Sequence, residues 1–104
     1  MTYSINTSKY TAKKAVEING VSFKVRRITT DEQFLISDLQ AELEALGNNP
    51  STKEAKPLYE KGEDMIFSMF DDQEKAREVL HGLDLMALAE VYKDIMENAP
   101  NAED

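Results

Sequence analysis

The chain predicts an α+β fold: an N-terminal β-hairpin, with room for an added edge strand, packed on a bundle of about four helices. Three observations predict it. Asn19-Gly20 sits between two alternating apolar runs, Val16-Glu17-Ile18 and Val21-Ser22-Phe23-Lys24-Val25, and Asn-Gly in that setting is the strongest short-range hairpin signal. After residue 28 the apolar residues recur at helical spacing. Each helical run is bounded by cap and stop residues.

The hairpin comes first. A two-residue type I′ turn at Asn19-Gly20 sets Ile18 opposite Val21 and Val16 opposite Phe23. One face is then apolar, and the other carries Glu17, Ser22, Lys24 and Arg26. The first strand can reach back to Tyr10, because Tyr10, Ala12, Lys14, Val16 and Ile18 share a parity; the second runs from about Val21 to Arg27. A lone two-stranded hairpin is marginal in water. It must lie on the helices, on a third strand or on another copy, and its free edges could recruit that copy.

The helices follow. Thr29 with Glu32, or Thr30 with Gln33, forms a capping box that starts the first, and Leu35, Ile36, Leu39, Leu43 and Leu46 mark its core face. Gly47 ends it, before Asn48-Asn49-Pro50. Ser51 with Glu54 is a second possible box, and Pro57 suits a first turn. The second helix spans Leu58–Phe70, with Leu58, Gly62, Met65, Ile66, Met69 and Phe70 on one side. Gly62 there either admits a close neighbour or marks a break. Asp71-Asp72 caps a short third helix with Ala76, Val79 and Leu80, which Gly82 ends. Asp84 caps a fourth, with Leu85, Leu88, Ala89, Val91, Tyr92, Ile95 and Met96, stopped by Pro100. The organisation is therefore a flexible 1–9, one domain over 10–98 with the hairpin in 10–27 and helices within 30–98, and a disordered tail at 99–104.

Composition narrows the function. At 104 residues the chain suits one domain with a modest core. Charged residues make up 31% and hydrophobic ones 41%, which is globular with a well-solvated surface. There are no cysteines, which removes disulfides and thiolate metal sites. The first nine residues lack the apolar core of a signal peptide, and no apolar run approaches the roughly 18 residues that span a bilayer. A soluble intracellular protein is expected. The net charge of −8 is unevenly spread: residues 1–30 hold six basic residues against Glu17 alone, whereas residues 31–104 hold six basic and 19 acidic ones. That split favours head-to-tail docking of copies or the steering of unlike partners to opposite ends; drift of surface charge would produce it too.

No catalytic constellation emerges. His81 is the only histidine, and its place in the last turn of the third helix suits a cation meeting the helix dipole. Asp71 and Asp72 fit helix capping better than metal binding, because Gln73-Glu74-Lys75 lacks the glycine and alternating oxygen ligands of a calcium loop. No carboxylate pair is singled out by spacing, and there is no phosphate-binding glycine loop. No cofactor and no metal are expected. The third helix, Gly82 and the fourth helix outline a helix-turn-helix, but Lys93 stands against Glu90, Asp94 and Glu97, which argues against DNA reading. The stretch Gly82-Leu83-Asp84-Leu85 lacks the serine that an acyl carrier protein needs. Met65, Met69, Met86 and Met96 lie on helices, where methionine either fills a core or forms an adaptable docking surface. The candidate protein-binding residues are Lys24, Arg26, Arg27, Met65, Met69, Met86 and Met96.

The strand–Asn-Gly–strand at Val16–Arg27, the phrase Val25-Arg26-Arg27-Ile28-Thr29-Thr30-Asp31-Glu32-Gln33 and the helical remainder with its polar tail resemble, in their order, a tail assembly chaperone of long-tailed, siphovirus-type bacteriophages or prophages. The resemblance covers most of the chain in layout. It implies a small acidic, non-enzymatic protein of the host cytoplasm, absent from the finished virion. It would bind the tape measure protein, and the tail tube protein too, and would self-associate. Many members also exist as a longer frameshifted product, and Ala99–Asp104 would suit the junction. The mechanism implied is holding: an apolar groove for helices, acidic solubilising faces, and polymerisation along the client by strand addition or basic-to-acidic docking. The rival readings are an acidic adaptor or nucleic-acid mimic acting on a basic partner, and an enzyme with a carboxylate site.

Overall fold

A computed structural model describes residues 1–47 and 52–102. A one-turn helix α1 (Ser8–Thr11) precedes strands β1 (Lys14–Ile18) and β2 (Val21–Val25), and the helices α2 (Thr30–Ala45), α3 (Thr52–Phe67), α4 (Gln73–Val79) and α5 (Leu85–Asn98) follow. The fold is α+β, a hairpin on a helical bundle.

The turn has the expected chemistry. Asn19 and Gly20 have φ of 50° and 84°, the positive values that a type I′ turn demands. The antiparallel register pairs Ile18 with Val21, Val16 with Phe23 and Lys14 with Val25. The strands are shorter than the sequence pattern suggests. Tyr10 and Thr11 belong to α1 rather than to β1. Arg26 and Arg27 lie beyond β2, because β1 offers no partner past Lys14 and the Arg26 N–H donates to the Met69 carbonyl instead.

The apolar face of the hairpin is covered within the chain. Phe23 and Val25 are buried with Ile66, Phe67, Met69, Phe70, Ala76, Leu80, Leu88 and Ile95, and Val16, Ile18 and Val21 pack against that cluster. Phe23 meets Phe70 edge to face at 5.4 Å. Burial of a side chain such as Phe23 contributes about 1.5–3 kcal/mol, which gives the short hairpin the support it lacks alone.

The edges of the hairpin are closed in part, at the end away from the turn. The second helix was expected to run to Phe70, but α3 ends at Phe67. Ser68 turns back, its hydroxyl donating to the Met65 carbonyl, and Phe70 bridges to Val25. The Asp71 N–H donates to the Lys24 carbonyl, and the Asp71 carboxylate accepts from the Lys24 N–H. On the β1 side, residues 99–102 of the tail expected to be disordered are bonded in place: the Ala15 N–H donates to the Pro100 carbonyl, the Ala102 N–H donates to the Lys13 carbonyl, and Asn101 bridges to Lys14; Glu103 and Asp104 lie outside the described residues. Unpaired groups at a sheet edge seek partners, and here the chain itself supplies them. Among the described residues, the Ala15 carbonyl and the N–H and C=O groups of Glu17 and Ser22, next to the turn, have no such bond. Strand addition by another copy is blocked at the end away from the turn and has only the stretch beside the turn to use.

Helix caps follow the sequence closely. Of the two possible boxes on α2, Thr29 with Glu32 is formed: the Thr29 N–H donates to Glu32 Oε1 at 2.9 Å, and the Glu32 N–H donates to Thr29 Oγ1 at 3.2 Å. Gly47 follows with φ 82°. The Asp72 and Asp84 carboxylates accept from the N–H groups of Lys75 and Ala87. The box proposed on Ser51 lies outside the described residues. Pro57 falls inside α3 rather than in its first turn, because that helix starts at Thr52.

Gly62 admits a close neighbour. It is buried, and a Cβ there would stand 2.9 Å from a methyl of Leu85, so α3 and α5 meet over a bare backbone. Two substitutions separate the effects. Gly62→Ala removes a helix penalty of about 1 kcal/mol and crowds only the tip of a flexible side chain, so its urea midpoint should stay within about 1 kcal/mol of wild type. Gly62→Val should lose about 1–3 kcal/mol, because a branched side chain at that contact overpacks it.

Candidate protein-binding surface

α2 departs most from the expected core. It carries Phe34, Leu35, Ile36, Leu39, Leu43 and Leu46 at or within its ends, yet none of its residues is buried. Phe34 is 67% and Leu35 52% exposed. α2 leans chiefly on α3, and the molecule measures 59 × 37 × 18 Å with a radius of gyration of 16.2 Å, against about 13 Å for a compact chain of this length. α2 and the start of α3 form an arm. Between the two helices lies a groove of about 650 Å³ lined by Leu35, Asp38, Leu39, Glu42, Lys61, Asp64, Met65 and Ser68.

The arm is anchored by Arg26. Its guanidinium forms a two-pronged ion pair with Glu32, 2.7 Å to Oε1 and 2.8 Å to Oε2, and also donates to the Arg27 carbonyl and to Ser68 Oγ. The Arg26 carbonyl accepts from the Tyr92 hydroxyl at 3.0 Å. One residue thereby joins the end of β2, the start of α2, the turn after α3, and α5. The hydrogen bond from Arg26 holds the Glu32 carboxyl well below the usual range, at about 2, against the opposing effect of burial. At the same, C-terminal end of α3, Arg77 pairs with Asp64 at 2.8 Å and lies 4.6 Å over the Phe67 ring, tying α4 to α3.

The residues singled out from sequence scatter. Lys24 is exposed beside Asp71. Arg26 is an internal brace rather than a presented cation. Arg27 is half-buried, with a buried Nε that has no hydrogen-bond partner among the described residues. Met69 is 2% exposed and belongs to the core, so its proposed docking role fails: the turn that ends α3 swings it inward. Met96 packs against the core. Met86 is 76% exposed on α5, away from the groove lining, and Met65 alone of the set lines it. Leu35, Leu39, Asp38 and Glu42 were missed as site residues because a leucine stripe reads as a core face. Phe34, off that stripe, was the available signal that α2 is apolar on more than one side.

His81 is exposed, and Asp71 and Asp72 serve β2 and the α4 cap. Among the described residues no three His, Asp or Glu side chains are grouped as a metal site, and no helix is long and apolar enough to cross a membrane. The outer side of α5 presents Glu90, Lys93, Asp94 and Glu97. No family model matches the chain, and no curated protein and no solved structure matches it.

Three outcomes follow from the Arg26 anchor. Because the folded-state pKa of Glu32 lies below its unfolded value, its stabilisation is complete above about pH 4.5 and is lost as pH falls toward 2; the gap in urea midpoint between wild type and Glu32→Gln should close over that window. Arg26→Ala should cost about 1–3 kcal/mol at pH 7, and Tyr92→Phe about 1 kcal/mol, since each removes a half-buried hydrogen bond.

Proposed function

We propose that this protein is a non-enzymatic tail assembly chaperone of a long-tailed bacteriophage, which holds the tape measure protein in the host cytoplasm while the tail is built and is absent from the finished virion. The observation that carries the reading is α2: sixteen residues long, rich in leucine, and without one buried residue. Apolar surface left open on a helix beside a second helix is the form of a helix-in-groove binding site. Covering the open half of a leucine such as Leu35 gains about 1 kcal/mol, so a few such contacts hold a client reversibly. The acidic surface of residues 31–104, with 19 acidic against six basic residues, keeps chaperone and client in solution. The order of hairpin and helices, with its resemblance to tail assembly chaperones, supports the choice of client. Contact with tail tube subunits and assembly of several copies along the client belong to the same proposal; with the hairpin edges occupied at the end away from the turn, copies would meet through charged surfaces.

The same charge excess supports a second reading, an acidic adaptor that occupies the nucleic-acid site of a basic partner; that protein would displace DNA from its partner.

Co-expression with the tape measure protein should raise the soluble fraction of that client severalfold. The double substitution Leu35→Asn with Leu39→Asn should remove the gain while the circular dichroism spectrum of the chaperone stays unchanged. A client that stays insoluble with the wild-type protein would sink the proposal.

A further inference from the structure

We infer that the α2–α3 groove selects a cationic amphipathic helix, one with lysine or arginine flanking an apolar stripe. The inference rests on the reading above, that the arm seats a helix, and adds what kind. Its lining holds three apolar residues, Leu35, Leu39 and Met65. It also holds Asp38 and Glu42 from α2 and Lys61 and Asp64 from α3.

These charges are not equivalent. Asp64 is already paired with Arg77 at 2.8 Å, and the neighbouring Glu32 with Arg26 at 2.7 Å. Among the described residues no ion pair reaches Asp38 or Glu42, and both are exposed. No basic residue occurs anywhere between Ile28 and Thr52, where there are five acidic ones. Asp38 and Glu42 stand one helical turn apart, at i and i+4, where like charges repel. A cation brought between them relieves that repulsion and meets two carboxylates together. An incoming helix repeats at the same interval, about 6 Å along its axis for four residues, so one basic flank matches the pair while its apolar stripe covers Leu35 and Leu39. An anionic flank would place like charges face to face, and a neutral one would leave the carboxylates to compete for water.

The probe is a helical peptide of about 18 residues, long enough to match α2, with a leucine stripe flanked by lysine; two counterparts carry glutamine or glutamate in place of lysine. Binding to the full chain is read by fluorescence anisotropy at low and high salt. The lysine peptide should bind at least about fivefold more tightly than the glutamine peptide, with the advantage fading as salt shortens the screening length to about 3 Å at 1 M. Asp38→Lys with Glu42→Lys should abolish the preference, whereas Glu90→Lys with Glu97→Lys, the same charge change on the outer side of α5, should retain it. Equal binding of all three peptides, or equal loss in the two charge variants, would overturn the inference. So would self-association that the groove variant abolishes without any peptide binding, which would assign the groove to the basic N-terminal residues of a second copy. A client solubilised without peptide preference leaves the chaperone reading standing and removes this inference; peptide preference without client rescue does the reverse.

Discussion

The two-pronged contact between Arg26 and Glu32 is the constraint on which the arrangement of the elements depends. It fixes where α2 leaves the hairpin, because the carboxylate that receives the guanidinium also closes the capping box with Thr29. A planar guanidinium meeting a carboxylate with two parallel bonds sets direction as well as distance. The Arg26 main chain extends the constraint, with its N–H bound to Met69 and its carbonyl to Tyr92. The pair is partly exposed, at 35% and 17% of its side chains, so its value is geometric as much as energetic. It lets α2 stand away from the core without losing its orientation.

That arrangement divides the molecule into a packed part and an open part. The hairpin, α4, α5 and the last turns of α3 share one core, in which Met69, Leu88 and Val25 are the largest fully buried side chains. α2 and the start of α3 sit outside it. A helix supported on one side by a neighbour and on the other by water spends little of its apolar surface on folding, and that surface remains free for a partner. In the reading proposed above, Asp38 and Glu42 discourage contact between two arms and favour a basic partner.

Much of this was legible from residue order, and the boundary between what was and was not is physical. Asn19-Gly20, Thr29 with Glu32, Asp72, Asp84 and Gly47 act over two to four residues, so pattern alone located the hairpin and most helix ends. The bonds from Lys24 to Asp71 and from Lys13 to Ala102 join residues far apart in the chain, and no local signal announces them; the early end of α3 and the ordered Pro100–Ala102 segment were missed for that reason. The leucines of α2 show a different limit. Periodicity tells which side of a helix is apolar and says nothing of what covers it, so Leu35 and Leu39 read as core and proved to line an open groove. Arg26 read as a presented cation because charge is visible in sequence and a partner six residues away, beyond the turn of the chain, is not.

The partial closure of the hairpin edges carries a consequence for a protein with so much apolar surface in the open. Strands with unpaired edges are templates for stacking into cross-β fibrils, an outcome that is hard to reverse. Here the segments Met69–Asp71 and Pro100–Ala102 occupy the positions away from the turn, and the apolar surface left open on α2 belongs to a helix, whose backbone groups are already satisfied internally. Association through such a surface proceeds by side-chain contact and can be undone. Contact made through α2 therefore does not extend a sheet.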